Sequence, residues 1–340
     1  MSAGVRISLP TVAPAPGATH AVARRRAIDV SVLVPARDEA ENLPLFMAQA
    51  ANAFAADASV GYEVVVVDDG SSDATWDVLA TLQREYPFLR AVRHRVGRGI
   101  ADALRTGFLH ARGDVMVFYP ADLQFKPEDI PRLVAPILAG ESDMVTGYKQ
   151  GKYEKAFVSR IYNRLSRTLF HVRVRDLNNV KAYRREVMEG LPLRPDWHRY
   201  MIVLAASQGY SVREIPVPLY PRHAGRSKFG IGRIPIGVLD MLAVWIELRF
   251  GRKPLLLFGV LGAALFALGV VAGLVALVWL AATGHGIRAV WTVIQTCLLL
   301  GGVFFTGGIV GEMIAGQRAE LAELRRELDA SRGASSETGG

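Results

Sequence analysis

From residue 28 to 147 the chain alternates short β-branched runs with helical stretches. IDVSVLV (28–34), YEVVVV (62–67), FLRAV (88–92), DVMVFY (114–119) and SDMVTG (142–147) read as strands. Helical stretches near 40–56, 73–84, 99–111 and 127–139 separate them. Strands that are apolar at successive positions are buried on both faces, and intervening helices supply the cover. The pattern predicts an α/β, Rossmann-like fold with a mostly parallel sheet and ligands at the carboxyl ends of its strands.

Farther along, the scale changes. Residues 254–282 carry no charge, and residues 289–315 carry only Glu312, near their end. About 20 apolar residues cross a ~30 Å hydrocarbon core, so the two runs predict a transmembrane hairpin. Residues 231–253 set Ile234, Ile236, Leu239, Leu242, Trp245 and Ile246 beside Arg233, Asp240, Glu247 and Arg249. That mixture predicts an amphipathic juxtamembrane helix in the headgroup layer.

Composition sharpens this division. The 340 residues are 51% hydrophobic and 21% charged, with mean hydropathy +0.22, an average over two unlike regions. Outside 254–315 the charged fraction is that of an ordinary soluble domain. The lone Cys297 lies inside the second apolar run, which excludes a disulfide framework. The hydrophobic content also excludes a disordered chain. Arg249, Arg252 and Lys253 precede the first span, Arg318, Arg325 and Arg326 follow the second, and the connecting loop holds only Arg288. The positive-inside rule then places both termini in the cytoplasm. Residues 1–27 are Ala/Pro-rich without an apolar h-region, and are expected to be a disordered tail and not a secretory signal. Residues 316–340 are expected to form a short cytoplasmic helix and tail.

The candidate chemistry sits in the loops after the strands. They read Pro35-Ala36-Arg37-Asp38-Glu39, Asp68-Asp69-Gly70-Ser71-Ser72-Asp73 and Tyr119-Pro120-Ala121-Asp122-Leu123-Gln124. Paired aspartates suit hydrogen bonds to a nucleobase or ribose. A carboxylate with a side-chain amide two residues on offers oxygen ligands to Mg²⁺ or Mn²⁺. Each loop also has a plain reading: Asp73 with Asp77 as a helix start, Gly70 as a turn. Residues 222–230, RHAGRSKFG, combine two arginines and a lysine with a glycine that lets backbone approach, a pattern suited to clamping phosphate.

In this order and spacing, VPARDEAEN, VVVVDDGSSDAT, VGRGIADALRTGFLHARGD and YPADLQFKPEDIPRL resemble the family 2 glycosyltransferases of GT-A fold. With the hairpin, residues 28–315 are similar to the polyprenyl-phosphate glycosyltransferases, relatives of dolichol-phosphate mannose synthase. The resemblance implies a GT-A domain over 28–230 in which Pro35, Arg37 and Glu39 line the nucleotide. It implies that Asp68 and Asp69 hold base and ribose, with Arg98 nearby and Arg199 among the binding residues. It places Mg²⁺ or Mn²⁺ on Asp122 and Gln124, and Asp176 at the catalytic centre. Arg222, Ser227 and Lys228 fall on the acceptor lipid phosphate or the donor diphosphate. Two departures stand out: Pro120 replaces the first aspartate of the usual Asp-Ala-Asp, and Asn179-Val180 replace a small-then-aromatic pair.

The expectation is an inverting glycosyltransferase in a bacterial-type inner membrane. It moves a sugar from a UDP- or GDP-linked donor to a polyprenyl phosphate at the cytoplasmic face. A phosphate monoester is largely ionised near neutrality, with a second pKa of about 6, so Asp176 is read as orienting or weakly basic. His198, a lone histidine at a helix start, is read as structural. Gly97-x-Gly99-x-x-Asp102 imitates a dinucleotide fingerprint but lacks its third glycine and its place after the first strand. The basic charge finds no recognised nucleic-acid module. A processive polysaccharide synthase and a non-catalytic nucleotide- or sugar-lipid-binding relative remain as rivals, and a homo-oligomer stays open.

Overall fold

A computed structural model describes residues 28–337, apart from 57, 151–163, 171, 173, 178, 192–193, 195–196, 225–233, 252 and 287. The expected tail over 1–27 lies outside the described residues. Seven strands form one sheet: β1 Val30–Ala36, β2 Tyr62–Asp69, β3 Leu89–His94, β4 Val115–Phe118, β5 Met144–Gln150, β6 Lys181–Arg184 and β7 Val212–Pro218. Their order is β3-β2-β1-β4-β6-β5-β7. Every pairing is parallel except those of β6, which runs antiparallel between β4 and β5.

The apolar runs do what their pattern requires. In β1 and β2, Val30, Val32, Val34, Val64 and Val66 enter one core with α1 (Leu43–Ala55), α2 (Thr75–Glu85) and α4 (Ile130–Leu138). Leu33 and Val65 point to the opposite core, with Leu104 of α3 (Ile100–His110). Each fully buried Val or Leu contributes roughly 1.5–3 kcal/mol, so both faces hold the strands in register. Short helices α5 (Arg185–Glu189) and α6 (Met201–Ser207) thicken the second core.

The helix in the segment expected to be juxtamembrane, α7 (Ile234–Phe250), carries apolar residues on two sides. Met241 and Val244 are fully buried against the domain, and the Tyr200 hydroxyl donates to Gly237 O at 3.1 Å. Val238, Leu239 and Leu242 remain exposed on the other side. Two helices then follow, α8 (Pro254–Thr283) and α9 (Arg288–Glu337). Both are long and apolar enough to cross a membrane, and only 17% of the most apolar window of each is buried, unlike a core helix. Gly284, at φ +69°, ends α8 and gives its N–H to Leu280 O at 2.8 Å.

Helix α9 runs without a break where the sequence suggested a span and a separate short helix. The helix carries Gly316 at the junction without ending, because no proline follows it and the Ala/Leu/Glu/Arg residues beyond are good helix formers. Glu312, the lone acid in its run, accepts the N–H of Leu255 at the start of α8, at 3.2 Å. Glu247 pairs with both Arg194 (3.0 Å) and Arg318 (3.2 Å), which ties α7 to the domain and to α9.

Candidate active site

The loops after β1, β2 and β3 knit to one another through side-chain to backbone bonds. Asp38 N–H donates to Ser71 Oγ (2.9 Å), and Ser72 N–H donates back to Asp38 Oδ1 (2.8 Å). Glu39 N–H reaches Thr75 Oγ1 at 2.9 Å, and the Glu39 carboxylate takes Asn42 Nδ2 at 2.6 Å. Asp38 holds φ +52°, a left-handed conformation uncommon outside glycine. Pro35 is half-buried and Arg37 exposed beside them.

Asp68 and Asp69 divide their work. Asp68 is fully buried, accepts Ser71 N–H at 2.9 Å and pairs with Arg93 at 3.2 Å. Asp69 receives the backbone N–H groups of Arg98 and Gly99, each at 2.8 Å, and faces His94 Nδ1 at 2.8 Å. Both its oxygens therefore shape the 97–99 turn, while the Arg98 side chain stands exposed at the rim. Gly70, at φ +69°, lies so close to this turn that an added Cβ would come within 2.5 Å of Gly97 N.

After β4 the chain enters a second left-handed residue, Leu123 at φ +56°, which sits between Asp122 and Gln124. Asp122 Oδ1 accepts Gln124 N–H at 3.2 Å, and Asp122 Oδ2 pairs with Arg222 at 2.9 Å. The same guanidinium lies 3.5 Å from Gln124 Oε1. Burial raises the Asp122 carboxyl above its ordinary range, opposed by the Arg222 charge and the Gln124 N–H. Arg222 thus stands where a cation would bridge a carboxylate and an amide oxygen, a donor pair that suits Mg²⁺ or Mn²⁺ when phosphates complete the shell. Among the described residues no group of three His, Cys, Asp or Glu could hold a metal by itself, so such a cation would rely on its phosphate ligands.

A second polar cluster gathers at the neighbouring strand ends. Asp176, 5% exposed, pairs with Lys149 at 3.2 Å. Lys181 begins β6 opposite Phe118 and Thr146, is wholly buried and donates to Asn179 O at 2.8 Å. Burial pushes its ammonium down to about 7, with Lys149 and Arg199 adding to the shift and Asp176 opposing it. Arg199 is half-buried. His198, beside Phe118, is pushed down to about 3 by burial and then by Lys181 and Arg199, and stays neutral. Ser227 and Lys228 lie outside the described residues. The segment that leads to them is placed by Tyr220 N–H on Gln124 O (2.9 Å) and by Asn42 Nδ2 near Ala224 O (3.4 Å). Sequence reasoning singled out neither Lys149 nor Lys181. Lys149 carried no signal, and Lys181 only its place after Asn179-Val180, where the resembling pattern carries Arg or Lys.

Comparison with known proteins gives a coherent neighbourhood. The family model described as Glycosyl transferase family 2 matches residues 31–189. The dodecaprenyl-phosphate galacturonate synthase of Rhizobium johnstonii is 30% identical over 323 residues, covering 90% of this chain and 92% of that protein. The dolichol-phosphate mannosyltransferase of Pyrococcus furiosus is 34% identical over 211 residues, 58% of this chain, and the match spans 58% of that relative's length. An undecaprenyl-phosphate 4-deoxy-4-formamido-L-arabinose transferase of Shewanella sediminis is 28% identical over 84% of this chain and 86% of its own. Among solved structures, glucosyl-3-phosphoglycerate synthase of Mycobacterium tuberculosis, in complex with Mn²⁺, UDP and phosphoglyceric acid, aligns with a TM-score of 0.51. That match covers 64% of this chain and 78% of the other at 21% identity, and speaks for the fold alone.

Proposed function

This chain belongs to glycosyltransferase family 2, and from that premise we propose that it transfers a sugar from a UDP- or GDP-linked donor to a polyprenyl phosphate. The reaction inverts the anomeric carbon and takes place at the cytoplasmic face of a bacterial-type inner membrane. The observation that carries this reading is the Asp122–Arg222 ion pair at 2.9 Å. It joins the donor-phosphate loop to the segment that runs directly into α7 and the apolar hairpin, where a lipid phosphate would arrive. The exposed apolar face of α7 and the arginines flanking the hairpin support the same placement.

The loops after β1 and β2 position the nucleotide, with Arg37 and Arg98 at the exposed rim and Asp68 and Asp69 beneath. Asp122 and Gln124 would hold a divalent cation, which would supply charge neutralisation on the nucleoside diphosphate. Arg222, with Ser227 and Lys228, attracts donor and acceptor phosphates by charge-assisted hydrogen bonds. The acceptor's ionised phosphate oxygen attacks the anomeric carbon in one displacement, and the nucleoside diphosphate leaves from the opposite side. Asp176, tied to Lys149, orients the reacting groups.

Membranes containing the protein, incubated with radiolabelled UDP- and GDP-sugars and polyprenyl phosphate, are expected to give label in the organic extract. Label in water-soluble polymer, or no transfer from any donor, overturns the reading.

A further inference from the structure

Past its apolar run, α9 keeps an edge that no described residue covers. Gly307, Val310, Ile314, Gln317, Leu321 and Leu324 recur at spacings of three and four, and all are exposed. Helix α8 lies against a different side of α9, where Ile294, Gly301 and Gly308 are buried. Lipid covers the first part of the open edge. Residues 289–315 already run about 40 Å at about 1.5 Å per residue, longer than a ~30 Å hydrocarbon core. The helix continues unbroken past them, and carries Leu321 and Leu324 into water at 58% and 49% exposure.

That spacing is the heptad of a coiled coil, whose a and d positions are apolar. With Leu321 at a and Leu324 at d, Ile314 and Leu328 also fall at a, and Gln317 and Ser331 at d. The flanking positions are sorted by sign. From 318 to 332 each e is arginine, Arg318, Arg325 and Arg332, and each g is glutamate, Glu320 and Glu327. In a parallel pair of helices each g faces the following e of the other helix. Glu320 then meets Arg325 of a second copy, and Glu327 meets Arg332. In an antiparallel pair g meets g and e meets e, so like charges oppose. Arg318 has Met313 at the preceding g and is held by Glu247 of its own chain at 3.2 Å. Two copies inserted in one membrane with the same topology present α9 in parallel, the orientation that the charges select. We propose that the edge of α9 carrying Leu321 and Leu324 binds the same edge of a second copy of this chain, as a parallel coiled coil on a twofold axis.

The test uses the full chain in membranes, with Cys297→Ser as background and copper phenanthroline as oxidant. On a twofold axis identical a and d residues stand opposite each other, and a disulfide forms only at short separation. Leu321→Cys and Leu324→Cys are therefore expected to cross-link two copies, and Glu323→Cys, at c, to do so at least about fivefold less. In detergent, Glu320→Arg together with Glu327→Arg is expected to raise the Kd of the dimer at least about tenfold, measured by sedimentation. Adding Arg325→Glu and Arg332→Glu should restore it, because the exchanged signs pair again. Equal cross-linking at 321, 323 and 324 is the result of random collision and overturns the proposal. A single-chain mass for the parent protein overturns it too, and so does a Kd unmoved by the charge reversal, which would place the dimer contact elsewhere.

Discussion

The Arg222 guanidinium bridges Asp122 Oδ2 at 2.9 Å and Gln124 Oε1 at 3.5 Å, across 100 and 98 residues of chain. A cation binding the same two oxygens must compete with it. Arg222→Gln is therefore expected to bind Mn²⁺ in the absence of nucleotide roughly threefold or more tighter than the parent protein, read by electron paramagnetic resonance. Its transfer rate should still fall, because the phosphates lose a charged partner. Asp122→Asn should lose Mn²⁺ binding and about 10²–10³ in kcat. Equal Mn²⁺ affinity in Arg222→Gln and the parent would show that the two cations do not share the site.

Asp69 and Gly70 fix the 97–99 turn at the edge of the proposed nucleotide site. Asp69→Ala strips two backbone N–H groups and His94 of their acceptor, a loss of about 2–4 kcal/mol in stability with a raised donor KM. Gly70→Ala combines a left-handed φ with a Cβ 2.5 Å from Gly97 N, so donor KM should also rise. Gly140 supplies the control. At φ +75° with nothing within 4 Å of its Cβ, Gly140→Ala should cost only about 1–2 kcal/mol of backbone strain. Donor KM in Gly140→Ala should match the parent, and a rise there equal to that of Gly70→Ala would count against the contact argument.

The strands β1, β2 and β4 were legible because their buried runs are nearly continuous, a property of sequence alone, and β3 and β5 were legible from their β-branched and aromatic residues between helical stretches. Spacing and resemblance put Asp122 and Gln124 on one cation and Arg222 on a phosphate, but the direct pair between Arg222 and Asp122 was not part of that reading. β6 was hidden, since KAYR sets one alanine and one tyrosine between two cations over only four positions and resembles a loop. Lys181 was hidden with it: nothing in one sequence tells a buried lysine from a solvated one, and only pairing with β4 and β5 removes it from water. The double role of Asp69 was equally invisible, because the turn it holds lies 29 and 30 residues away. In α7 the residues buried against the domain, Met241 and Val244, are not those of the expected apolar stripe, of which Val238, Leu239 and Leu242 stay exposed, a division that needs the neighbouring fold.

His198 provides a pH signature. Its pKa is about 3 in the fold against 6.5 for the ordinary side chain. Between those values the unfolded chain binds a proton that the fold does not, so stability declines as pH drops through 6.5. The slope from this one group is at most about 1.4 kcal/mol per pH unit. His198→Leu should show a shallower acid decline in urea unfolding between pH 6.5 and 4.5, with little change in that slope above pH 7.5. Identical acid slopes would mean that His198 is protonated in the fold.

The hairpin depends on backbone contact between its helices. A Cβ on Gly262 would lie 2.5 Å from Phe305 N and 2.7 Å from Gly301 O, and one on Gly301 would lie 2.7 Å from Phe266 N. Small residues that admit such approach are the usual means of packing helices in lipid, where burial of apolar surface gives no drive to association. Gly302, one residue from Gly301, has open space around its Cβ position. Gly262→Val should therefore separate α8 from α9 and lower the thermal stability of the detergent-solubilised protein by several degrees, whereas Gly302→Val should leave it within about a degree. Both changes add the same atoms and the same loss of helix propensity, so their difference isolates the interhelical contact. Equal shifts for the two variants would assign the cost to propensity and leave the close approach without energetic weight.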